Sequence, residues 1–320
     1  MSGEMVLGVD VGSVSTNIVL MDAENGIAQR LYLKTAGRPV EAIRRGMAEL
    51  VEALGGWEPA ISAVGVTGSG RMLAGAMLGA DLVKNEISAH AVAARQYQPD
   101  VRTVLEIGGQ DSKIILLRNG IVTDFAMNTV CAAGTGSFLD RQAERLGIPI
   151  GEFGGWAARA RSPVAIAGRC AVFAESDMIH KQQSGHRQED IIAGLCDALV
   201  RNYLNNLAKG KEIASPVVFQ GGVAANSGMV DAFRRALGTD ISVPPHFDVM
   251  GAWGAALLAA ERRQKTGESS RFVGYQALTR EYSTETRQCT GCANQCELVV
   301  FSAEEQELAK WGGRCGKWSI

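Results

Sequence analysis

Seven cysteines are the side chains of this sequence best suited to hold a metal or carry electrons. Cys131 and Cys170 each precede a predicted helix, where the helix dipole favours the thiolate. Two thiolates cannot complete a four-ligand site. The residues alone leave three interpretations open: a buried pair, a disulfide, or half of a site that a symmetric dimer completes. Cys196 lies on the apolar face of the long helix predicted over 188–209 and is interpreted as a core residue.

The other four cysteines lie together near the C-terminus, at Cys289, Cys292, Cys296 and Cys315. A structural zinc ion needs four such ligands, and so does an iron–sulfur cluster. Glycines at 291, 312 and 313 would permit the tight turns that wrap a metal. The spacing is not the paired CxxC pattern of zinc ribbons. We predict a metal site in this tail and favour an iron–sulfur cluster, with zinc as the alternative.

Two acidic residues beside glycine turns are the next candidates. Asp10 and Glu106 each lie in a short apolar segment, and the same strand–turn–strand pattern follows both. Backbone N–H groups at such turns can bind phosphate oxygens, and glycine lets the ligand approach closely. A carboxylate there would hold Mg²⁺ through water. Two segments that open with the same acid-bearing hairpin indicate a duplicated α/β domain.

Further glycine motifs favour a nucleotide ligand. The segment 134–136 lies at a predicted helix start, and 221–226 joins a predicted strand to a helix, where an anion or nucleoside can rest on backbone. Glycine is abundant, at 38 of 320 residues. The chain has no GxxxxGK[ST] motif, which excludes a P-loop. It has no GxGxxG after the first strand, which disfavours a dinucleotide fold.

Composition excludes several other classes of protein. The formal net charge is −2, from 32 basic and 34 acidic residues, and no basic stripe indicates nucleic-acid binding. No apolar run approaches the ~18 residues that a membrane helix needs, and the N-terminus lacks a signal-peptide pattern. We expect a cytoplasmic protein, in which clustered cysteines more often bind metal than form disulfides.

The elements that position these residues are predicted to form two α/β domains and a small cysteine-rich appendage. Domain I covers residues 1–100 and domain II residues 101–263, although the last helix, at 247–263, could return to domain I. The polar composition of 264–270 is typical of a linker, so residues 264–320 are predicted to be a linker and a metal-binding tail.

Four motifs together resemble one protein family. They are Gly108-Gly-Gln-Asp-Ser-Lys113, Cys131-Ala-Ala-Gly-Thr-Gly-Ser-Phe-Leu-Asp140, Cys170-Ala-Val-Phe-Ala-Glu-Ser176 and Gly221-Gly-Val-Ala-Ala-Asn226. With the two acid-bearing hairpins they resemble the 2-hydroxyacyl-CoA dehydratase activators. These proteins are related to the ATPase subunits of benzoyl-CoA reductase and belong to the actin-like ATPase superfamily. The resemblance covers about residues 5–262.

The resemblance implies a duplicated actin-like (ribonuclease H-like) fold with a nucleotide cleft. It implies that the protein hydrolyses ATP to ADP with Mg²⁺, and that a homodimer holds one [4Fe-4S] cluster through Cys131 and Cys170 of each subunit. Reduced ferredoxin or flavodoxin would load this cluster, and the electron would pass to a CoA-ester dehydratase or reductase component. The tail resembles the segment that follows the activator region in long fused dehydratase-activator proteins.

The resemblance also implies residue roles. Asp10 and Glu106 would position Mg²⁺ and water, and Gln110 and Asp111 would lie near the terminal phosphate. The family usually has aspartate where Glu106 stands, so the longer acid would shift the metal or slow hydrolysis. The residues expected to contact the nucleotide are Gly12, Ser13, Ser15, Thr16, Gly108, Gly109, Lys113, Gly134, Thr135, Gly136, Gly221, Gly222, Val223 and Asn226.

Two other functions stay open on the residues. The first is a small-molecule kinase on the same fold, in which the cysteines would be incidental. The second is a non-catalytic adaptor whose tail binds zinc. Iron content and ATP binding would distinguish both from an ATP-driven electron carrier. The sequence does not name the electron acceptor.

Overall fold

The structure is a computed structural model that describes residues 4–318. The strands are β1 (Met5–Val11), β2 (Ser15–Met21), β3 (Ile27–Lys34), β4 (Ile61–Thr67), β5 (Leu82–Val83), β6 (Thr103–Ile107), β7 (Ser112–Arg118), β8 (Ile121–Asn128), β9 (Val217–Gln220), β10 (Ile241–Ser242), β11 (Tyr282–Gln288), β12 (Glu297–Ala303) and β13 (Gln306–Trp311).

The α-helices are α1 (Pro39–Ala53), α2 (Arg71–Leu78), α3 (Glu86–Tyr97), α4 (Gly136–Leu146), α5 (Phe153–Ala157), α6 (Ala171–Gln183), α7 (Gln188–Leu207), α8 (Ser227–Leu237) and α9 (Met250–Thr266). Short 3₁₀ helices occupy Ala132–Gly134, Ile150–Glu152, Gly222–Ala225 and Tyr275–Thr279. The chain forms two compact units. Unit 1 is Met1–Val92 with Gly251–Ile320, and unit 2 is Ala93–Met250.

Unit 1 is built on a five-stranded sheet of order β3-β2-β1-β4-β5. The first three strands are antiparallel meander strands, and β4 pairs in parallel with β1. β1 is central and almost wholly apolar, which suits a strand covered on both faces. Ile43, Met47 and Leu50 of α1 bury the helical face that packs against this sheet.

Unit 2 repeats this topology. Its sheet has the order β10-β9-β6-β7-β8, with β6 antiparallel to β7 and parallel to β9. Strand by strand, β6 to β10 therefore correspond to β1 to β5. Asp10 of β1 and Glu106 of β6 occupy matching strands. The predicted mixed α/β architecture with two sheets is confirmed, and the internal repeat is visible in the strand order.

Helix α9 packs on the sheet of unit 1. A Cβ atom at Gly8 of β1 would overlap the carbonyl oxygen of Ala252, and one at Gly65 of β4 would overlap that of Ala255. Only glycine allows this close approach of helix and sheet backbones. The chain thus returns to unit 1 at Gly251, and the two units divide within α3 rather than at the predicted position 100/101.

The C-terminal segment forms a three-stranded antiparallel sheet of order β11-β12-β13. Phe301 of this sheet is fully buried in the same core as Met77 and Leu78 of α2. Asp81 of unit 1 also accepts hydrogen bonds from Ser270 Oγ (2.9 Å) and from the Arg271 amide (2.8 Å). The segment predicted as linker and tail therefore packs as part of unit 1.

Within residues 4–318, none of the helices combines the length and apolar character that crossing a membrane requires.

Candidate functional site

Asp10 lies at the end of the unit 1 sheet, next to last in β1. In the sheet register it lies opposite Asn17 of β2 and Thr67 of β4, which places the three side chains on one face. Asn17 Oδ1 and Thr67 Oγ1 are buried and have no hydrogen-bond partner among the described residues. Because buried polar atoms are normally hydrogen-bonded, this face of the sheet end suits a ligand oxygen, a hydrated cation or bound water.

Glycines make room for the Asp10 carboxylate. A Cβ atom at Gly68 or at Gly251 would overlap it, so two segments distant in sequence approach this carboxylate. The Gly12 N–H donates to Ser15 O (2.8 Å) and closes the β1–β2 turn. Neither Gly68 nor Gly251 is among the site residues predicted from the sequence. The TGSG run that follows β4 was a usable signal for Gly68, whereas the approach of Gly251 depends on tertiary packing alone.

The hydroxyl residues of this turn divide by exposure. Ser13 is exposed and Ser15 is half-buried, so both are accessible to a ligand. Thr16 is fully buried, and its hydroxyl bonds that of Thr35 (2.9 Å), which in turn donates to Gly12 O (2.8 Å). In this structure Thr16 stabilises the turn from inside, and its contact with nucleotide stays a prediction.

The corresponding acid of unit 2 has a cationic partner. Lys113 Nζ lies 3.0 Å from Glu106 Oε2 and 2.9 Å from Asp111 Oδ2. The side chains of Lys113 and Glu106 are only 2% and 5% exposed, whereas Asp111 is 30% exposed. Lys113 thus pairs with two carboxylates, and its contact with the nucleotide stays a prediction. The contact follows from the β6–β7 register, which pairs Glu106 directly with Lys113.

Tyr203 of α7 is hydrogen-bonded to the backbone of this charged cluster. Its hydroxyl donates to Lys113 O (2.5 Å). Burial raises the pKa of Tyr203 well above its ordinary value, and the nearby Glu106 charge adds to the shift. The phenol therefore stays a neutral donor. Sequence reasoning missed this residue because its position on α7 looks like any apolar core position.

The loop that carries Gly108, Gly109, Gln110 and Asp111 is fixed to the start of α4. The Gly108 N–H donates to Asp111 O (3.0 Å), and the N–H groups of Gly136 and Ser137 donate to Gly108 O and Gly109 O, both at 2.9 Å. The first donors of α4 thus hold this loop, whereas we expected them to present N–H groups to an anion.

The residues 134–136 have mainly structural contacts in this structure. Gly134 and Thr135 are buried, and the Thr135 hydroxyl donates to Ala132 O (2.8 Å). A Cβ atom at Gly136 would lie 2.9 Å from Gly108 O. The glycine at 136 is therefore needed for the close approach of α4 to the loop at 108–111.

Gly221 makes room for Glu106 at the end of β9. It has φ +89°, and a Cβ atom there would lie 2.7 Å from Glu106 Oε1. Gly222 is exposed and Val223 is buried. Asn226 caps α8 by accepting from the Met229 N–H (3.2 Å), while its buried Nδ2 has no partner among the described residues. That donor is suited to a ligand oxygen.

Cys131 and Cys170 lie in two segments of unit 2 that the fold brings together. Cys131 precedes the 3₁₀ turn Ala132–Gly134, and Cys170 is the N-cap residue of α6. Cys131 Sγ lies 3.9 Å from the carbonyl oxygen of Arg169, the residue before Cys170. Asn128 fixes the first segment, because its Oδ1 accepts from the Cys131 N–H (2.9 Å) and its Nδ2 donates to Cys131 O (2.8 Å).

Large apolar side chains adjoin both cysteines in sequence and are exposed. Val130 is 93% exposed, and Val172 and Phe173 are each 68% exposed. Both thiols are themselves half-buried. Isolated apolar side chains on a surface need no explanation, but a group of them beside two thiols is typical of an interaction site. Cys196, by contrast, is fully buried, and burial raises its pKa to about 12, which confirms its interpretation as core.

The tail cysteines lie at one end of the C-terminal sheet. Cys289, Cys292 and Cys296 occupy the β11–β12 loop, where the Cys289 N–H donates to Cys296 O (2.8 Å). Cys315 follows β13, whose last residue pairs with Val299 near the start of β12. Over residues 4–318, however, no three His, Cys, Asp or Glu side chains are grouped so that they could hold a metal ion. The four-thiolate site stays a prediction.

The duplicated sheets, each with an acid and a glycine turn at the end of its central strand, define an actin-like ATPase. The chain belongs to the BadF/BadG/BcrA/BcrD ATPase family, which it matches over residues 7–259. The strands β11 to β13 lie outside this match.

Individual relatives agree with this assignment. The chain is 37% identical to the (R)-2-hydroxyglutaryl-CoA dehydratase activating ATPase of Acidaminococcus fermentans, over 81% of this chain and 98% of that protein. It is 27% identical to one of the subunits of benzoyl-CoA reductase from Thauera aromatica, over 81% and 94%. A solved structure of the 2-hydroxyisocaproyl-CoA dehydratase activator from Clostridium difficile with bound ADPNP superposes with TM-score 0.76 and 34% identity, over 82% and 97% of the two chains.

Proposed function

We propose that this protein is an ATP-hydrolysing activator that delivers a low-potential electron to a CoA-ester dehydratase or reductase. The names of its relatives support this class of partner. The observation that carries the proposal is the pair of half-buried thiols at Cys131 and Cys170, beside exposed apolar side chains. A small-molecule kinase on the same fold would not need this pair.

The thiol pair fits a [4Fe-4S] cluster shared by two copies of the chain. Each copy offers two thiols from adjacent segments, and a two-fold axis would supply the other two. The exposed Val130, Val172 and Phe173 would be buried in such a homodimer. Cys170 is the N-cap residue of α6, so this helix fixes the position of its backbone. A bound cluster supplies a one-electron carrier, which we propose is loaded by reduced ferredoxin or flavodoxin.

The sheet ends fit Mg²⁺ and ATP. Asp10 lies beside two unpartnered buried polar atoms, and carboxylate oxygens are ligands that Mg²⁺ prefers, directly or through water. We propose that Asp10 and Glu106 position the metal and the attacking water, with Gln110 and Asp111 near the terminal phosphate. The Lys113 ammonium lies within 3.0 Å of both unit 2 acids and offsets their charge. Glycines at 12, 108, 109, 221 and 222 would admit the phosphates and nucleoside.

We further propose that the tail thiols hold a second iron–sulfur site, with zinc as the alternative. The β11–β12 loop and the segment after β13, which together carry the four cysteines, lie at one end of the sheet. Binding would draw the thiols together, since metal binding organises its own ligands. This end of unit 1 could then relay electrons or dock on the partner.

Iron and sulfide analysis of anaerobically purified protein tests the proposal. The variant Cys131→Ser/Cys170→Ser should lose the interface iron, and a variant with all four tail cysteines replaced by serine should keep it. Cys196→Ala is the matched control and should retain all iron. Substitution is preferable to truncation, because Phe301 belongs to the core of unit 1.

Three results would overturn the proposal. The first is iron loss confined to the tail variant, which would place no cluster at Cys131 and Cys170. The second is a colourless, iron-free protein with ATPase activity, which would favour a kinase. The third is zinc without iron in the wild type, together with no ATP binding, which would favour an adaptor.

A further inference from the structure

Asn202 of α7 lies between the two cysteine-bearing segments of unit 2. It is a polar side chain with only 4% exposure on a helix whose neighbouring buried positions are mostly apolar. A buried amide is costly unless its donors and acceptor are satisfied. The position of Asn202 is therefore explained by the hydrogen bonds that its amide makes.

The amide nitrogen of Asn202 faces both segments at once. Nδ2 donates to Gly168 O (2.7 Å) and lies 3.5 Å from Arg169 O, in the segment that leads to Cys170. The same Nδ2 lies 3.8 Å from Cys131 Sγ. Because the two carbonyl oxygens can only accept, the NH₂ end of the amide must point toward them. Its second hydrogen is thus directed at the region shared by Arg169 O and the Cys131 sulfur.

The other end of the amide is also fixed. Asn202 Oδ1 accepts from Asn206 Nδ2 (3.0 Å), one turn further along α7. A Cβ atom at Gly134 would lie only 2.8 Å from Asn202 Oδ1, and one at Gly168 only 2.7 Å from Ala198 O. Both segments therefore contact α7 directly at a glycine, with no side chain between. Helix α7 acts as a common support for the two thiols.

We propose that Asn202 is a positioning residue that ties the Cys131 and Cys170 segments to α7 and donates an N–H to the Cys131 sulfur. Asn202 Nδ2 lies within hydrogen-bonding reach of that sulfur. The spacing of the two thiols is then set before any metal binds. Asn202 has this positioning role whether or not the chain carries a cluster.

The effect of Asn202 on a reduction potential, by contrast, rests on the proposed function. Hydrogen bonds to cluster sulfurs help set the reduction potential of an iron–sulfur cluster. A donor to sulfur stabilises the more negative, reduced state, so its loss makes the cluster harder to reduce. A tenfold change in the reduction equilibrium corresponds to about 59 mV for one electron. We expect loss of the Asn202 donor to lower the midpoint potential by a shift of that order.

The spacing is tested on metal-free full-length chain. The four tail cysteines are replaced by serine so that the accessible thiols are Cys131 and Cys170. Dibromobimane, which becomes fluorescent when it bridges two nearby thiols, is then added. Asn202→Ala and the isosteric Asn202→Asp should bridge the pair at least several-fold more slowly. Asn205→Ala, an exposed asparagine on the same helix, is the matched control and should bridge at the parent rate.

The potential is tested on iron-loaded dimer by electron paramagnetic resonance during a redox titration. Asn202→Asp removes the donor but also adds a negative charge that lowers the potential by itself, so a lower potential in the uncharged Asn202→Ala variant is the result that assigns the shift to the lost donor. Unchanged bridging and unchanged potential in both Asn202 variants would overturn the inference. A different result would be slower bridging in the Asn202 variants together with a wild-type protein that binds no iron when purified anaerobically. This result would leave the positioning role intact and refute the proposed function instead.

Discussion

Replacement of Lys113 by methionine should destabilise unit 2 more than any other single change in its charged cluster. Methionine keeps the unbranched shape of lysine but removes the charge. Glu106 is then left as a buried carboxylate without its cation, since its side chain is only 5% exposed and its ion pair with Lys113 is 3.0 Å long. Removal of one partner of a buried pair costs about 3–5 kcal/mol.

The second partner adds little to this cost. The Asp111 side chain is 30% exposed, so solvent screens its pair with Lys113. A pair of this kind contributes about 0.2–1 kcal/mol. The penalty therefore comes mainly from Glu106, and Glu106→Gln in the Lys113→Met background should recover at least about 2 kcal/mol, because no buried charge is then left unpaired.

Hydrogen–deuterium exchange of β6 and β7 peptides measures this locally, because exchange reports the free energy of opening of each segment. The Lys113→Met chain should exchange faster in β6 and β7, and the double variant should approach the wild type. Peptides of the unit 1 sheet serve as the internal control. Exchange within about 0.5 kcal/mol of wild type in Lys113→Met, or no recovery in the double variant, would refute the reasoning.

Three further predictions concern core packing, ligand binding and ionisation. Phe301→Ala should lower the stability of unit 1 by about 3–5 kcal/mol in urea unfolding, because the ring is fully buried in its core; an effect confined to the tail would contradict this. Gly251→Ala should weaken binding of Mg²⁺ and an ATP analogue at least about tenfold in calorimetry, since its Cβ displaces the movable Asp10 carboxylate. Gly8→Ala, which meets helix backbone instead, should cost about 1–3 kcal/mol of stability; equal effects of the two glycine variants on both readouts would be contrary evidence. Because burial raises the pKa of Cys196 from 9.0 to about 12, the unfolded thiol ionises first, so stability falls as pH rises from 9 toward 12. Cys196→Ala should show a flatter profile in that window, and parallel profiles would refute the assignment.

The internal repeat could be predicted because its signals are local. Asp10 and Glu106 each lie in a short apolar strand, and a glycine turn and a hairpin follow each. These patterns depend on strand periodicity and turn chemistry, which neighbouring residues decide. The matching strand orders of the two sheets follow from the same patterns.

The partners of the site residues could not be predicted with the same rules. The ion pair of Lys113 with Glu106 needs the β6–β7 register, and the approach of Gly251 to Asp10 needs the return of α9 to unit 1. The polar run 264–270 has the composition of a linker, yet Ser270 bonds Asp81. A polar composition indicates that a segment faces solvent. It does not predict the few directional hydrogen bonds that attach such a segment to the rest of unit 1.

Within unit 2, a short series of contacts joins the loop at 108–111, proposed to lie near the terminal phosphate, to the segment of Cys131. These contacts are suited to the proposed coupling between ATP hydrolysis and electron transfer. The loop at 108–111 is bonded through Gly108 O and Gly109 O to the amides of Gly136 and Ser137. These amides lie a few residues from Cys131, and the intervening turn packs at Gly134 on Asn202.

A displacement of this loop when the terminal phosphate leaves would pull directly on the segment that carries the thiol, with no flexible linker to absorb it. The Cys170 segment shares the same contact at Asn202. Both thiols would therefore respond together, which is the behaviour required if nucleotide state is to set the environment of a cluster that they hold jointly.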